Sequence, residues 1–156
     1  MKTISLDFSH KADLTSLAMV VSSLQSVTQP MSLAFFLMGA AARDLMLTHA
    51  HDISPQRQTE DVDFAVMVRD WESFAVLRTA LVESGKFSER PGSVIHRLHH
   101  SKTGLPLDIV PFGGIERADR TIAWPPDQST VFDCFGAQEA FNTSISVRLP
   151  MGVTLD

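Results

Sequence analysis

The spacing of hydrophobic residues along the chain predicts a mixture of helices and strands. Over residues 12–27, apolar side chains recur three and four positions apart, which is typical of an amphipathic helix. Residues 33–38 form a short continuous apolar run, as in a buried strand, and the run breaks at Gly39. Residues 40–50 are rich in alanine, leucine and methionine, which favour helices. The pattern therefore predicts a strand, a tight glycine turn and a helix.

A second strand and helix follow a polar loop. Residues 61–68 predict a strand that becomes strongly apolar after its first positions. Asp70 stands where a helix N-cap residue is expected, and the helix after it ends near Gly85. These elements repeat the strand-to-helix order of the first unit.

The second half of the chain predicts a hairpin and shorter elements. Residues 93–101 alternate in character, and a turn at residues 102–104 leads into an apolar strand over residues 105–112. One helical turn is predicted at 136–141 and a last strand at 144–149. Strands and helices therefore alternate through most of the chain, which indicates an α/β fold.

Composition and charge narrow the class of protein. The chain has 156 residues, 44% of them hydrophobic and 20% charged, so we expect residues 1–156 to form one globular domain. The formal net charge of −5 argues against a broad basic surface for nucleic acid, although a local basic groove stays open. The single cysteine, Cys134, excludes an intramolecular disulfide and is expected to be buried. With no signal peptide and no apolar run of about 18 residues, a cytoplasmic location without membrane contact is expected.

Three aspartates stand in apolar, strand-like surroundings. Asp61 and Asp63 begin the second predicted strand, where residues two apart point to one face about 6.6 Å from each other. Asp108 lies inside the apolar run at 105–112, and the sequence offers it no evident salt-bridge partner. If these two segments pair in a sheet, the three carboxylates share a face. Such an oxygen-rich group suits Mg²⁺ and phosphoryl transfer.

The glycine turn is a second candidate element. A glycine between a strand and a helix allows the backbone to approach a ligand, and free N–H groups at a helix start favour phosphate. In the segment Gly39-Ala40-Ala41-Ala42-Arg43-Asp44, Arg43 adds a fixed positive charge. A helix that merely begins at a glycine is the simpler interpretation of this segment taken alone.

The histidines allow a further interpretation, a metal site. Five of the six histidines stand at positions 49, 51, 96, 99 and 100. No cysteine or second histidine cluster completes a zinc spacing, so a zinc site is not expected. The alternation around His96 instead predicts an outer strand whose histidines face solvent.

The order of glycine turn, aspartate pair and third aspartate resembles the nucleotidyltransferase superfamily, the fold of DNA polymerase beta and of poly(A) and CCA-adding enzymes. The segments 39–44, 57–64 and 107–113 look most like the AbiEii-type proteins, toxin components of type IV toxin-antitoxin systems. The resemblance covers residues 33–114. It implies a small mixed β-sheet with helices packed mainly on one face.

The resemblance also implies a role for each candidate residue. Asp61 and Asp63 would hold Mg²⁺ on the triphosphate of an NTP, and Asp108 would bind a second Mg²⁺ and act as the base toward the acceptor hydroxyl. The residues that would bind the nucleotide are Gly39, Ala40, Arg43, Arg57 and Thr59. The favoured acceptor is the 3′ end of tRNA, and a cognate antitoxin is an expected partner. A small-molecule or protein acceptor, and a non-catalytic nucleotide-binding module, are the alternatives.

The chain departs from the superfamily pattern in two respects. Ala40 stands where relatives often have a second glycine or a serine, so a hydroxyl contact to the triphosphate is missing. Relatives continue past the last strand into a helical lobe with a lysine, whereas this sequence stops at Asp156. A catalytic core without its helical lobe is therefore expected, either as a piece of a longer protein or as a minimal form.

Overall fold

A five-stranded mixed sheet forms the centre of the fold. The computed structural model of the chain describes residues 5–55 and 60–156. The strand order is β2-β3-β6-β5-β4. The strands are β2 (Phe35–Met38), β3 (Val62–Met67), β4 (Phe87–Ser88), β5 (Arg97–His100) and β6 (Pro106–Phe112). The chain therefore has the α/β class that the sequence predicts.

The two central strands, β3 and β6, run parallel to each other. Val62 pairs with Leu107 and Phe64 with Ile109, all four of them buried. Continuous apolar runs are typical of strands that are covered on both faces, and both strands have one. The parallel pair fixes the register of the aspartates, which lie at the start of β3 and early in β6.

Helices of unequal length cover the two faces of the sheet. The long helices α1 (Thr15–Thr28) and α3 (Trp71–Glu83) pack on one face, in the core that contains Phe64 and Leu107. The helix α2 (Gly39–Leu45) follows β2 directly and contacts β2 and β3. The short helix α4 (Ala137–Asn142) packs with Phe36 and Phe112 on the opposite face. The prediction that helices pack mainly on one face is confirmed.

Smaller elements complete the fold. Parallel and antiparallel pairs join β1 (Ser5–Asp7), β9 (Ser146–Arg148) and β10 (Thr154–Leu155) into a three-stranded sheet. The sequence did not predict the hairpin of β7 (Thr121–Ala123) and β8 (Val131–Asp133), whose strands have only three residues each.

Several element boundaries differ from the prediction. The strand β3 begins at Val62, so Asp61 precedes it rather than lying inside it. The strand β5 begins at Arg97 because residues 94–97 form a turn, in which the Arg97 amide donates to the Val94 carbonyl. The predicted helix at 40–50 is α2 followed by a π-helical turn, Met46–Ala50. Cys134 is buried, as predicted.

Among the helices within residues 5–55 and 60–156, none combines the length and the apolar character that a membrane span requires.

The N-cap of α3 yields a prediction on stability and pH. Asp70 accepts hydrogen bonds from the backbone N–H and the hydroxyl of Ser73, at 2.8 and 2.7 Å, and these bonds lower the pKa of Asp70 to about 2. Since the folded pKa is lowered from about 4, the stabilisation is complete above pH 4 and is lost as the pH falls toward 2. We expect Asp70→Ala to lower the melting temperature at pH 7, by an amount that shrinks toward zero near pH 2.

Asp127→Ala is the matched control, because Asp127 binds the backbone and hydroxyl of Ser129 in the same way without capping a helix. Calorimetric melting curves between pH 2 and 7 give both differences. An equal loss of stability in the two variants at pH 7 would contradict the capping role of Asp70.

Candidate functional site

Asp63 and Asp108 lie side by side near the start of the two central strands. They are register partners on the parallel strands β3 and β6. Asp63 shares its face of β3 with Ala65, which packs with Phe36 on the side away from α1 and α3. The carboxylates are therefore on the face that the two long helices leave open. From the sequence, the pairing of these two segments was only a condition for a shared acidic face. The structure shows that they pair.

Arg97 binds two of the three aspartates. It is the register partner of Asp108 on β5, and its Nε and one terminal nitrogen donate to the two Asp108 carboxylate oxygens at 2.7 and 2.9 Å. The same terminal nitrogen donates to Asp61 Oδ2 at 2.7 Å. Hydrogen bonding to Asp108 raises the pKa of Arg97 above its ordinary value, with a further contribution from Asp61. The expectation that Asp108 has no salt-bridge partner is wrong.

The sequence contained a signal for this contact. The predicted turn at 102–104 folds the chain back so that position 97 meets position 108, the pairing that the structure shows. The alternation of residues 93–101 instead predicts a solvent-facing outer strand, and this prediction is wrong. Pairing with β4 covers the other edge of β5, so β5 is an interior strand.

The same strand order corrects the expectation for the histidines. His99 and His100 are buried, contrary to the predicted solvent-facing strand. His100 lies between Ser23 Oγ, at 2.9 Å, and Thr103 Oγ1, at 2.8 Å. Burial lowers the pKa of both rings. Their neutral form suits this packed interior.

Asp63 is the aspartate with the least compensated charge. Within the described residues its carboxylate has no hydrogen-bond donor and no ion-pair partner, unlike those of Asp61 and Asp108. Burial, followed by the negative charges of Asp108 and Asp61, raises the pKa of Asp63. A cation placed beside Asp63 would relieve this repulsion.

The glycine turn touches Asp63 directly. Gly39 has a φ of +70°, and a Cβ built on it would lie 2.6 Å from Asp63 Oδ2. The positive φ therefore favours glycine, and a side chain at this position would force the Asp63 carboxylate to move. The start of α2, with Gly39 and then Ala40, is consequently placed against the uncompensated carboxylate.

The remaining candidate residues are less close to the aspartates. Arg43 forms its ion pair with the adjacent Asp44, at 2.8 Å, and its side chain is 58% exposed. The structure therefore does not pair it with any of the three aspartates. Arg57 and Thr59 lie outside the described residues. Their roles, like those of the other candidate residues, stay predictions.

An aromatic cluster adjoins the acidic group and was not anticipated from the sequence. His96 Nε2 is 3.9 Å from Asp108 Oδ2, and its ring contacts Trp124 and Phe132 with centroid distances of 5.1 Å each. Burial lowers the pKa of His96, while the negative charge of Asp108 opposes this change. His96 thus contacts both the Asp108 carboxylate and the aromatic cluster.

The donor chemistry of this group fits a hard divalent cation. Three carboxylates face one guanidinium, so negative charge is in excess, and oxygen ligands are those that Mg²⁺ prefers. Within residues 5–55 and 60–156, no three acidic, histidine or cysteine side chains converge as a ready-made metal site. Arg97 already holds Asp61 and Asp108, which a bound cation would have to share or take over.

The contact between Gly39 and Asp63 yields a matched pair of variants. Gly85 has a nearly identical φ of +72°, but a Cβ there would meet nothing within 4 Å. We expect Gly85→Ala to cost about 1 kcal/mol from backbone conformation, and Gly39→Ala to cost about 1–3 kcal/mol more from the overlap with Asp63. Denaturant unfolding measures both. Equal losses would contradict the close approach of α2 to Asp63.

Comparisons with known proteins give one weak similarity. No family profile matches the chain, and no curated protein matches it. Among solved structures, a Thermotoga maritima CCA-adding enzyme complexed with tRNA is similar at 16% identity, with a TM-score of 0.38. The match covers 85% of this chain and 32% of the enzyme, so the chain spans about a third of that enzyme's length. A similarity this weak does not establish a shared function, which has to be argued from the chain's own residues.

Proposed function

We propose that the chain transfers a nucleotidyl group from an NTP to an acceptor hydroxyl with the help of Mg²⁺. The observation that carries the proposal is the register pairing of Asp63 with Asp108 on parallel strands, with the Gly39 turn against Asp63. Carboxylates beside a backbone turn can receive a metal ion and a phosphate chain at the same place. The excess negative charge at this site favours a ligand that arrives with its own cation.

Each aspartate has a separate task in this proposal. Asp63, which accepts no hydrogen bond within the described residues, and Asp61 would hold the Mg²⁺ on the triphosphate, and Asp108 would hold a second Mg²⁺. Bound Mg²⁺ would supply charge stabilisation to the phosphates during the reaction. Asp108 also accepts the proton of the acceptor hydroxyl. For this step its oxygens have to leave the hydrogen bonds with Arg97.

The reaction is an in-line displacement. The acceptor oxygen forms a bond to the α-phosphorus, and the bond from that phosphorus to the bridging oxygen breaks, so that pyrophosphate leaves. Gly39 and Ala40 present backbone to the phosphates, because α2 begins at the acidic group. Arg43, Arg57 and Thr59 contribute to the nucleotide pocket in this proposal, and the exposed Arg43 side chain is free to turn from Asp44 toward phosphate oxygens.

The acceptor and the biological setting are proposed from the family resemblance alone. The 3′ end of tRNA is the proposed acceptor, and a toxin role with a cognate antitoxin is the proposed setting. A small molecule or a protein side chain as acceptor is the alternative. Transfer assays with the three acceptor classes distinguish them.

Two substitutions separate binding from chemistry. We expect Asp63→Asn to weaken Mg²⁺-dependent NTP binding about tenfold or more, because Asp63 is the uncompensated ligand. We expect Asp108→Asn to bind NTP within a few-fold of the unchanged protein but to lower transfer by about 100-fold or more, because the base is lost. Calorimetry with each NTP and a radiolabel transfer assay measure the two effects.

Asp119→Asn serves as the control, because among the described residues Asp119 accepts hydrogen bonds only from Thr121, in its own loop. It should change neither quantity. NTP binding without transfer to any acceptor would favour the non-catalytic module, and the absence of NTP binding would overturn the proposed function.

A further inference from the structure

Arg97 occupies the position from which a positive charge reaches both Asp61 and Asp108. We propose that Arg97 is a tethered counter-ion that competes with the divalent cation for these carboxylates. The site then has two states, one held by the guanidinium and one loaded with metal. This inference rests on the metal-binding part of the proposed function and adds a regulatory step to it.

The hydrogen bonds of Arg97 are the first support. Both oxygens of Asp108 and one oxygen of Asp61 accept from the guanidinium, all at 2.7–2.9 Å. Bidentate pairs of this kind are among the strong charge-assisted contacts in proteins. A divalent cation on the same oxygens would lie within a few ångströms of the guanidinium and be repelled by it. Metal coordination and the Arg97 contacts therefore compete for the same oxygens.

The uneven distribution of these contacts indicates how the exchange begins. Asp63 accepts no hydrogen bond in the described residues and meets the charge of Arg97 only at longer range, so an incoming cation has the least competition there. Asp61 is the next in order, since it receives one hydrogen bond, precedes β3 and is 37% exposed. Asp108 is 13% exposed and receives two, so it is the last to be released.

Arg97 has the freedom that this exchange requires. Its side chain is 34% exposed, so the guanidinium can turn into solvent while the aliphatic part stays on the sheet. Without metal, the guanidinium offsets the repulsion among carboxylates that would otherwise oppose folding. The consequence is a site that is folded without metal and binds the cation more weakly than it would without Arg97.

Arg120 offers a matched comparison elsewhere in the chain. It also bridges two carboxylates, those of Glu116 at 2.6 Å and Glu139 at 3.5 Å, and its side chain is 33% exposed. It belongs to the loop between β6 and β7 rather than to the strands with the three aspartates. Its removal tests the effect of losing a bridging arginine without altering the acidic site.

The experiment titrates the folded chain with Mg²⁺ and Mn²⁺ alone, in the absence of nucleotide. We expect Arg97→Met to bind either ion about tenfold more tightly than the unchanged chain, or more, because the competing cation is gone. Its melting temperature without metal should fall, and the rise on adding metal should exceed that of the unchanged chain. Arg120→Met should leave the metal affinity unchanged.

The unchanged chain provides a second measurement that needs no substitution. The Nε–H resonance of Arg97, assigned by its loss in Arg97→Lys, should move toward the position of exposed arginines as Mg²⁺ is added. That of Arg120 should stay in place. This readout applies even if Arg97→Met does not fold.

The outcomes separate this inference from the proposed function. The competition is overturned if Arg97→Met binds metal equally or more weakly, or if saturating Mg²⁺ leaves the Arg97 resonance unaffected. In either case the proposed transferase activity is still tested separately by Asp63-dependent NTP binding. Tighter metal binding in Arg97→Met without any NTP binding supports the competition and overturns the transferase. If neither Mg²⁺ nor Mn²⁺ binds to the unchanged chain or to Arg97→Met, both the competition and the proposed metal dependence are overturned.

Discussion

The parallel pairing of β3 with β6 is the constraint on which the rest of the structure depends. It sets Asp63 beside Asp108, and two adjacent carboxylates in a partly covered sheet repel each other unless a cation joins them. Arg97, the next residue across the sheet, compensates part of this negative charge by binding Asp108 and Asp61. The charge of Asp63 has no such contact among the described residues. The acidic group therefore keeps an excess of negative charge.

The arrangement of helices gives this charge an open surface. The two long helices fill one face of the sheet, so the apolar residues alternating with the aspartates are buried while the carboxylates face away from them. The turn at Gly39 closes one side of the acidic face, since its missing side chain leaves space for the Asp63 carboxylate. The aromatic contacts of His96 close another side near Asp108. The proposed phosphoryl transfer requires accessible carboxylates beside a backbone turn. A sheet covered equally on both faces would bury these carboxylates.

Sequence patterns predicted the local parts of this picture better than the long-range parts. The glycine turn, the N-cap at Asp70 and the strand around Asp108 follow from residue types and spacing, because each depends on neighbours within a few positions. The strand order does not follow from residue types and spacing, because it depends on residues far apart in the chain. Pairing of β4 along β5 turned an expected outer strand into an interior one, and it buried His99 and His100. Arg97 was missed for the same reason, although the hairpin register would have placed it opposite Asp108.

The central claim is that the three aspartates form one cation site for a nucleotide, and a crystal structure with Mn²⁺ and a non-hydrolysable NTP analogue tests it most directly. The account predicts anomalous density about 2.1 Å from oxygens of Asp63 and Asp108, a triphosphate beside Gly39, and Arg97 turned away from both carboxylates. Manganese bound elsewhere, with Arg97 still bridging Asp61 and Asp108, would contradict the account.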